Sequence, residues 1–259
     1  MPIVRIGENL VFFAHIPKCA GSSVENYLRD RFGPLAMLDR DYLSLEARER
    51  WTQSSPQHVD WSSLMRLFPA NFFADVFAVV RHPVARAFSA YKFQAQVERT
   101  VPEGMSFSDW LRAEAKARRD DPHRSDNHSR PQVDFLPPED EGPVTIFHLE
   151  HGLDGVIPYL DGLAGDQSGP RAMGHALQNT PSKTNSAVPS EDEIALVAEI
   201  YAADFTRLGY VAEHPAPLRP APELTPDFIA QNAAARARAK RPLHQLGAKL
   251  RRRVQKWQR

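Results

Sequence analysis

Residues 11–32 constrain the fold more tightly than any other stretch of this chain. A short apolar run (Val11, Phe12, Phe13, Ala14) breaks into a loop, His15-Ile16-Pro17-Lys18-Cys19-Ala20-Gly21. The loop leads into Ser22 and Ser23 and then into a helical pattern with Val24, Tyr27, Leu28 and Phe32 on one side. Strand, tight loop and helix in that order build an anion site, because the unpaired N–H groups of a helix start point into the loop with partial positive charge. Lys18 adds a full charge at its mouth, and Gly21 lets main chain come close. Ser22 and Ser23 can cap the helix or bond an oxygen. An ordinary strand-to-helix connection needs only a capping serine, so Lys, Gly and two Ser together point to binding.

A second strand-to-helix junction lies at residues 76–91. Five apolar residues (Val76 to Val80) suit a buried parallel strand, Arg81 follows, and Pro83 marks a helix start. Arg81 thus leaves the carboxyl end of a strand, where open α/β sheets bind ligands. Arg86 and Ser89, three residues apart, share a helix face, and Arg86 reads equally as an anion contact or as a structural ion-pair residue. With a third apolar run at 143–149, the alternation of strand runs and helical patterns predicts an α/β domain with a central parallel sheet flanked by helices.

The two stretches resemble the paired motifs of sulfotransferases that use PAPS, the nucleotide sulfate donor. HIPKCAGSS is similar to the 5′-phosphosulfate motif, and RHPVARAFSAY to the 3′-phosphate motif. The likeness is nearest to the carbohydrate-type enzymes, heparan sulfate 2-O-sulfotransferases and the bacterial sulfotransferase family 2 among them. Asn127, His128, Pro131 and Gln132 resemble a central segment of that family. Lys183-Thr184-Asn185-Ser186, with Tyr201, Asp204, Phe205, Gly209 and Tyr210, resembles its C-terminal segment. The resemblance spans about residues 9–212 and implies a P-loop-like three-layer fold. It also implies that Lys18, Cys19, Ala20, Gly21, Ser22 and Ser23 hold the 5′-phosphosulfate, Arg81 and Ser89 the 3′-phosphate, and that Lys183 closes over the nucleotide. Arg86 and His128 are the expected substrate contacts, and the implied acceptor is a hydroxyl, carbohydrate in type.

The chemistry suits these residues. PAPS carries two separate anionic groups and needs two anion sites, whereas a nucleoside triphosphate kinase needs one loop and magnesium ligands. The phosphate loop with lysine directly after glycine is absent here, and no acidic residue marks a magnesium-binding strand end, so no metal is expected. Lys18 is the expected catalytic cation on the leaving phosphate. The acceptor also needs a base, and histidine titrates in the right range. Carbohydrate-type relatives carry such a histidine in the region of His58, which makes His58 the expected base. His128 is a second candidate and Glu25, one turn into the first helix, a third. His15 is expected beneath the loop, and His82 is read as tolerated variation. Two rival readings stay open: a P-loop-like phosphotransferase, and a non-catalytic nucleotide- or polyanion-binding protein.

Composition bounds the remainder. The 259 residues hold one cysteine, so no internal disulfide forms. Cys19 lies in the donor loop, where it reads as a small residue that fits or as a reactive thiol. No apolar run approaches the roughly 20 residues of a membrane span, and the expected location is cytoplasmic. The zero net charge conceals an asymmetry: residues 232–259 contain ten Lys or Arg and no acid, leaving 22 basic against 32 acidic residues before them. The expected organisation is a sulfotransferase domain at 1–212, a Pro-rich linker at 213–226 and a basic tail at 227–259. In that tail Leu243, Leu246, Leu250, Val254 and Trp257 form an apolar stripe. Such a helix can lie on the anionic inner face of a membrane or pack on the acidic body of its own chain. No specific nucleic-acid contact is expected. Between the motifs, Phe107, Trp110 and Leu111 predict an amphipathic helix ending near Arg119.

Overall fold

The computed structural model describes residues 2–174 and 188–239. Lys183-Thr184-Asn185-Ser186 and the apolar stripe from Leu243 to Trp257 lie outside the described residues.

Four strands, β1 (Ile3–Ile6), β2 (Asn9–Ala14), β3 (Asp75–Val80) and β4 (Thr145–His148), form one sheet in the order β1-β2-β3-β4. β2, β3 and β4 run parallel, with Phe13 opposite Phe77 and Ala78 opposite Ile146. β1 is antiparallel to β2, so the sheet is mixed and not wholly parallel as expected. The cause is local. Gly7, at φ 60, begins a two-residue turn between Ile6 and Asn9, and a positive φ at that position lets the chain reverse with the strand twist.

Successive side chains of a strand point to opposite faces, and both faces here are apolar. Phe12, Ala14, Ala78 and Val80 face one cluster with Trp61 and Leu64 of α2 (Trp61–Met65) and Leu208 of α7 (Ala202–Leu208). Val11, Phe13, Phe77 and Val79 face another, with Val24, Tyr27 and Leu28 of α1 (Gly21–Phe32) and Val156, Ile157 and Leu160 of α5 (Val156–Ala164). The result is three layers. A one-residue slip of β2 would exchange the two sets of side chains, so both cores fix its register.

A third cluster joins α3 (Pro83–Phe93), α4 (Phe107–Ala117) and α6 (Glu191–Ile200) through Ala87, Trp110, Leu111, Val197 and Tyr201. Pro83 opens α3, where its missing N–H costs nothing. Ser106 caps α4 by accepting the Asp109 N–H, and Ser190 and Glu193 form a capping box on α6. α3 continues into one π turn, Gln94–Glu98, closed by Arg99 at φ 57. α8 (Pro226–Ala239) packs on the α1/α5 side through buried Phe228, while Asn232 donates to Asp154 and to the Arg171 carbonyl. Among the described residues no helix is long and apolar enough to cross a membrane.

This architecture brings three carboxyl ends of parallel strands together. His15 follows β2, Arg81 follows β3, and Leu149 and Glu150 follow β4.

Candidate active site

The loop after β2 is built from alternating backbone conformations. Lys18 (φ 68) and Ala20 (φ 63) are left-handed, and Cys19 between them is not. Left-handed residues in such a loop are a feature of anion nests, although the Cys19 N–H here returns to the Ile16 carbonyl at 3.4 Å. α1 begins at Gly21 with Ala20 as its N-cap and no side-chain cap. Of the two roles open to the serines, the cap is not the one taken: Ser22 and Ser23 stand inside the first turn, and Ser23 N–H returns to the Ala20 carbonyl at 3.0 Å. Gly21 is needed for a different reason than expected. A Cβ there would lie 1.9 Å from His15 Nε2, so it is the imidazole under the loop that requires glycine.

Cys19 is 1% exposed, with its thiol aimed at Gln132 Oε1 (3.4 Å) and at the Pro17 carbonyl. Burial pushes the thiol up to about 12, so the small-residue reading holds and the reactive-thiol reading fails.

Lys18 is half-buried, with Nζ 3.7 Å from the centre of the Phe93 ring. Burial lowers its pKa to about 8; Glu98 opposes the shift and Arg81 adds to it.

Arg81 is tied to this loop on two sides. Its guanidinium donates to the Lys18 carbonyl at 3.3 Å, and its own N–H and C=O pair with the Gln132 side-chain amide at 2.9 and 2.8 Å. Gln132 is fully buried, and Asp204 anchors it by accepting the N–H groups of Gln132 and Val133. Arg81 also borders a cleft of 610 Å³ with His82, Ala85, Phe88, Glu150 and Ile194. Ser89 is half-buried one helical turn beyond Ala85.

Arg86, expected at the substrate, is 1% exposed. It donates to the carbonyls of Pro17 (3.0 Å) and His128 (3.3 Å), so it clamps the loop after β2 to the 125–129 turn. Its buried place and its two carbonyl partners match the structural reading of Arg86.

His58 Nδ1 lies 2.7 Å from Asp126 Oδ2. Asp126 also accepts the Ser55 N–H (2.6 Å) and hydroxyl (2.9 Å), and Asn127 holds the His58 carbonyl (2.7 Å). Burial works to raise the Asp126 pKa, but His58, His128 and the Ser55 amide outweigh it and hold the carboxyl well below the usual range. A carboxylate that accepts Nδ1–H favours the tautomer whose lone pair is on Nε2. Ser125, Asp126 and Asn127 are all left-handed, at φ 51, 51 and 61. Three such residues in succession are uncommon even for Asp and Asn, and the strain here delivers Asp126 to His58.

The other candidates take places around this pair. His15 donates Nδ1–H to Glu25 at 2.5 Å, and the His15 and His58 rings meet edge-on at 4.7 Å. Burial lowers the His15 pKa and Glu25 opposes that shift; burial works to raise the Glu25 pKa, but His15, His58 and Arg40 together lower it. Glu25 is thus committed beneath the loop. His128 is buried, its ring 5.4 Å from that of His58, its Nδ1 unpaired and 3.7 Å from Glu98. Burial first, then the positive neighbours, push its pKa far down. His82 donates its N–H to Glu150, which also accepts the Tyr210 hydroxyl.

His58, Asp126 and His128 present ligand atoms within 4.8 Å of one another and could hold a divalent ion. The three donors already on Asp126 favour the hydrogen-bonded pair. Sequence reading missed Asp126, Ser55, Glu98 and Phe93. Asp126 stands beside the noted Asn127-His128, and that adjacency was the available signal.

A three-layer α/β body with an amide-lined loop, a lysine, an anchored arginine and an imidazole–carboxylate pair has the parts of a group-transfer enzyme for an anionic donor. The sulfotransferase family matches residues 2–211, from β1 to the turn after α7, and the chain belongs to that family. Members of this family generally draw the sulfuryl group from PAPS. No curated protein and no solved structure matches the chain.

Proposed function

We propose that this protein is a PAPS-dependent sulfotransferase that moves a sulfuryl group to a hydroxyl of a carbohydrate or glycoconjugate. The observation that carries the reading is the Arg81 guanidinium bonded to the Lys18 carbonyl, which sets two anion-binding elements side by side. The loop amides with Lys18, Ser22 and Ser23 take the 5′-phosphosulfate, and Arg81 with Ser89 the 3′-phosphate.

In the proposed reaction His58 Nε2 takes the acceptor hydroxyl proton as the oxygen attacks sulfur. The bond from sulfur to the bridging phosphate oxygen breaks, and Lys18 neutralises the charge that gathers on that phosphate. The products are a sulfate ester and PAP, with the proton on His58 until solvent removes it. Catalysis here is alignment plus preorganised charge.

The test is transfer from sulfur-labelled PAPS to a panel of sugar acceptors, with and without EDTA. Label transfer that survives chelation is the expected result. Transfer only with added divalent metal, or release of phosphate from ATP in its place, would move the protein to another class.

A further inference from the structure

A second cleft, of 760 Å³, shares no lining residue with the one beside Arg81. Two of its walls belong to the transfer centre: Asp126 holds His58, and Glu98 faces His128 and acts electrostatically on Lys18. A molecule in this cleft therefore lies against the carboxylates that border the transfer centre, on a side that the Arg81 cleft does not occupy.

The charge of the lining restricts what enters. Glu98, Asp121 and Asp126 stand against Arg50 and Arg124. Both cations are engaged: Arg124 pairs with buried Glu114 at 2.9 Å, while Arg50 donates to the carbonyls of Leu43 and Leu45 and lies over the Tyr42 ring. With Arg124 neutralised by Glu114, a sulfated or uronate-rich chain would meet three carboxylates against Arg50 alone, a net acidic lining that disfavours polyanions.

Trp51 supplies the attractive element. It lines the cleft, is 65% exposed and has no ring partner among the described residues. Thr52, Gln53, Thr100 and Ser125 line the same cleft with neutral hydroxyl and amide groups. An open aromatic face beside neutral hydrogen-bonding groups suits a sugar ring, whose C–H face stacks while its hydroxyls bond at the edge.

We propose that this cleft is the acceptor subsite, that it takes an uncharged sugar chain, and that Trp51 is its stacking platform. The proposal rests on the sulfotransferase reading and names the acceptor class for it.

The experiment is saturation-transfer NMR on the full chain with PAP present. The probes are cellohexaose, maltohexaose and chitohexaose beside a heparin hexasaccharide, with Trp51→Ala and Trp51→Phe as variants. Trp51 is largely exposed, so neither change should disturb folding. At least one neutral hexasaccharide should bind, roughly tenfold more weakly to Trp51→Ala, with most of the affinity restored by Trp51→Phe. Preference for heparin, an unchanged affinity in Trp51→Ala, or no saccharide binding by protein that binds PAP would each overturn the proposal. Loss of PAP binding itself, measured in the same samples, would instead overturn the donor reading on which it rests.

Discussion

Replacing His58 by alanine should lower kcat by roughly 10²–10⁴ while leaving PAP affinity close to that of the parent, because only the proton transfer is removed. Asp126→Asn should show a comparable loss, since an amide can accept Nδ1–H no better than it can donate to the opposite tautomer. The two substitutions should not add when combined, because they break one device. Asp126 also receives the Ser55 amide and hydroxyl. Its variant therefore needs a thermal melt alongside the kinetics, whereas His58→Ala leaves those bonds in place. Full turnover in His58→Ala would remove this histidine from the mechanism and turn attention to His128, the neighbouring imidazole with an unpaired nitrogen.

Lys18→Ala should cost roughly 10²–10³ in kcat, the usual effect of removing one preorganised charge from a developing anion. The lysine also gives the enzyme a pH signature. Its pKa lies at about 8 because the ammonium is partly buried. A lowered lysine pKa means that the cation is present below about pH 8 and disappears as pH rises through that value. PAP affinity and kcat/KM should therefore decline above it. A bound phosphosulfate raises the pKa of the ammonium it touches, so the alkaline limb of kcat should lie at higher pH than that of kcat/KM. Lys18→Arg keeps its charge across this range and should abolish the decline, even if its absolute rate is lower. An alkaline limb that persists unchanged in Lys18→Arg would assign the titration to another group.

Much of the fold was legible because local pattern encodes it. The strand-loop-helix at β2–α1, the strand ending at Arg81 and the Pro83 helix start all stand where the sequence places them. The amphipathic helix expected to about Arg119 runs from Phe107 to Ala117. β1 was overlooked, although Gly7-Glu8 between two apolar runs is a hairpin signal; the antiparallel edge follows from it. The site was legible in its residues more than in their duties. Gly21 and Arg86 were both singled out, yet each serves a packing demand that appears only when His15 and the carbonyls of Pro17 and His128 are in place. Asp126 was invisible for the same reason. It meets His58 across 68 residues, and Gln132 meets Asp204 across 72, separations at which periodicity carries no information. Long-range polar pairing is a property of the fold, and a single sequence does not print it.

The central claim is that the loop after β2 and Arg81 after β3 together bind PAPS, and calorimetric titration with PAP tests it most directly. ATP with magnesium serves as the comparison, and Arg81→Ala as the variant. The account predicts clear PAP binding that Arg81→Ala weakens and little affinity for ATP. Binding of ATP with none of PAP would contradict it, as would PAP affinity indifferent to the loss of Arg81.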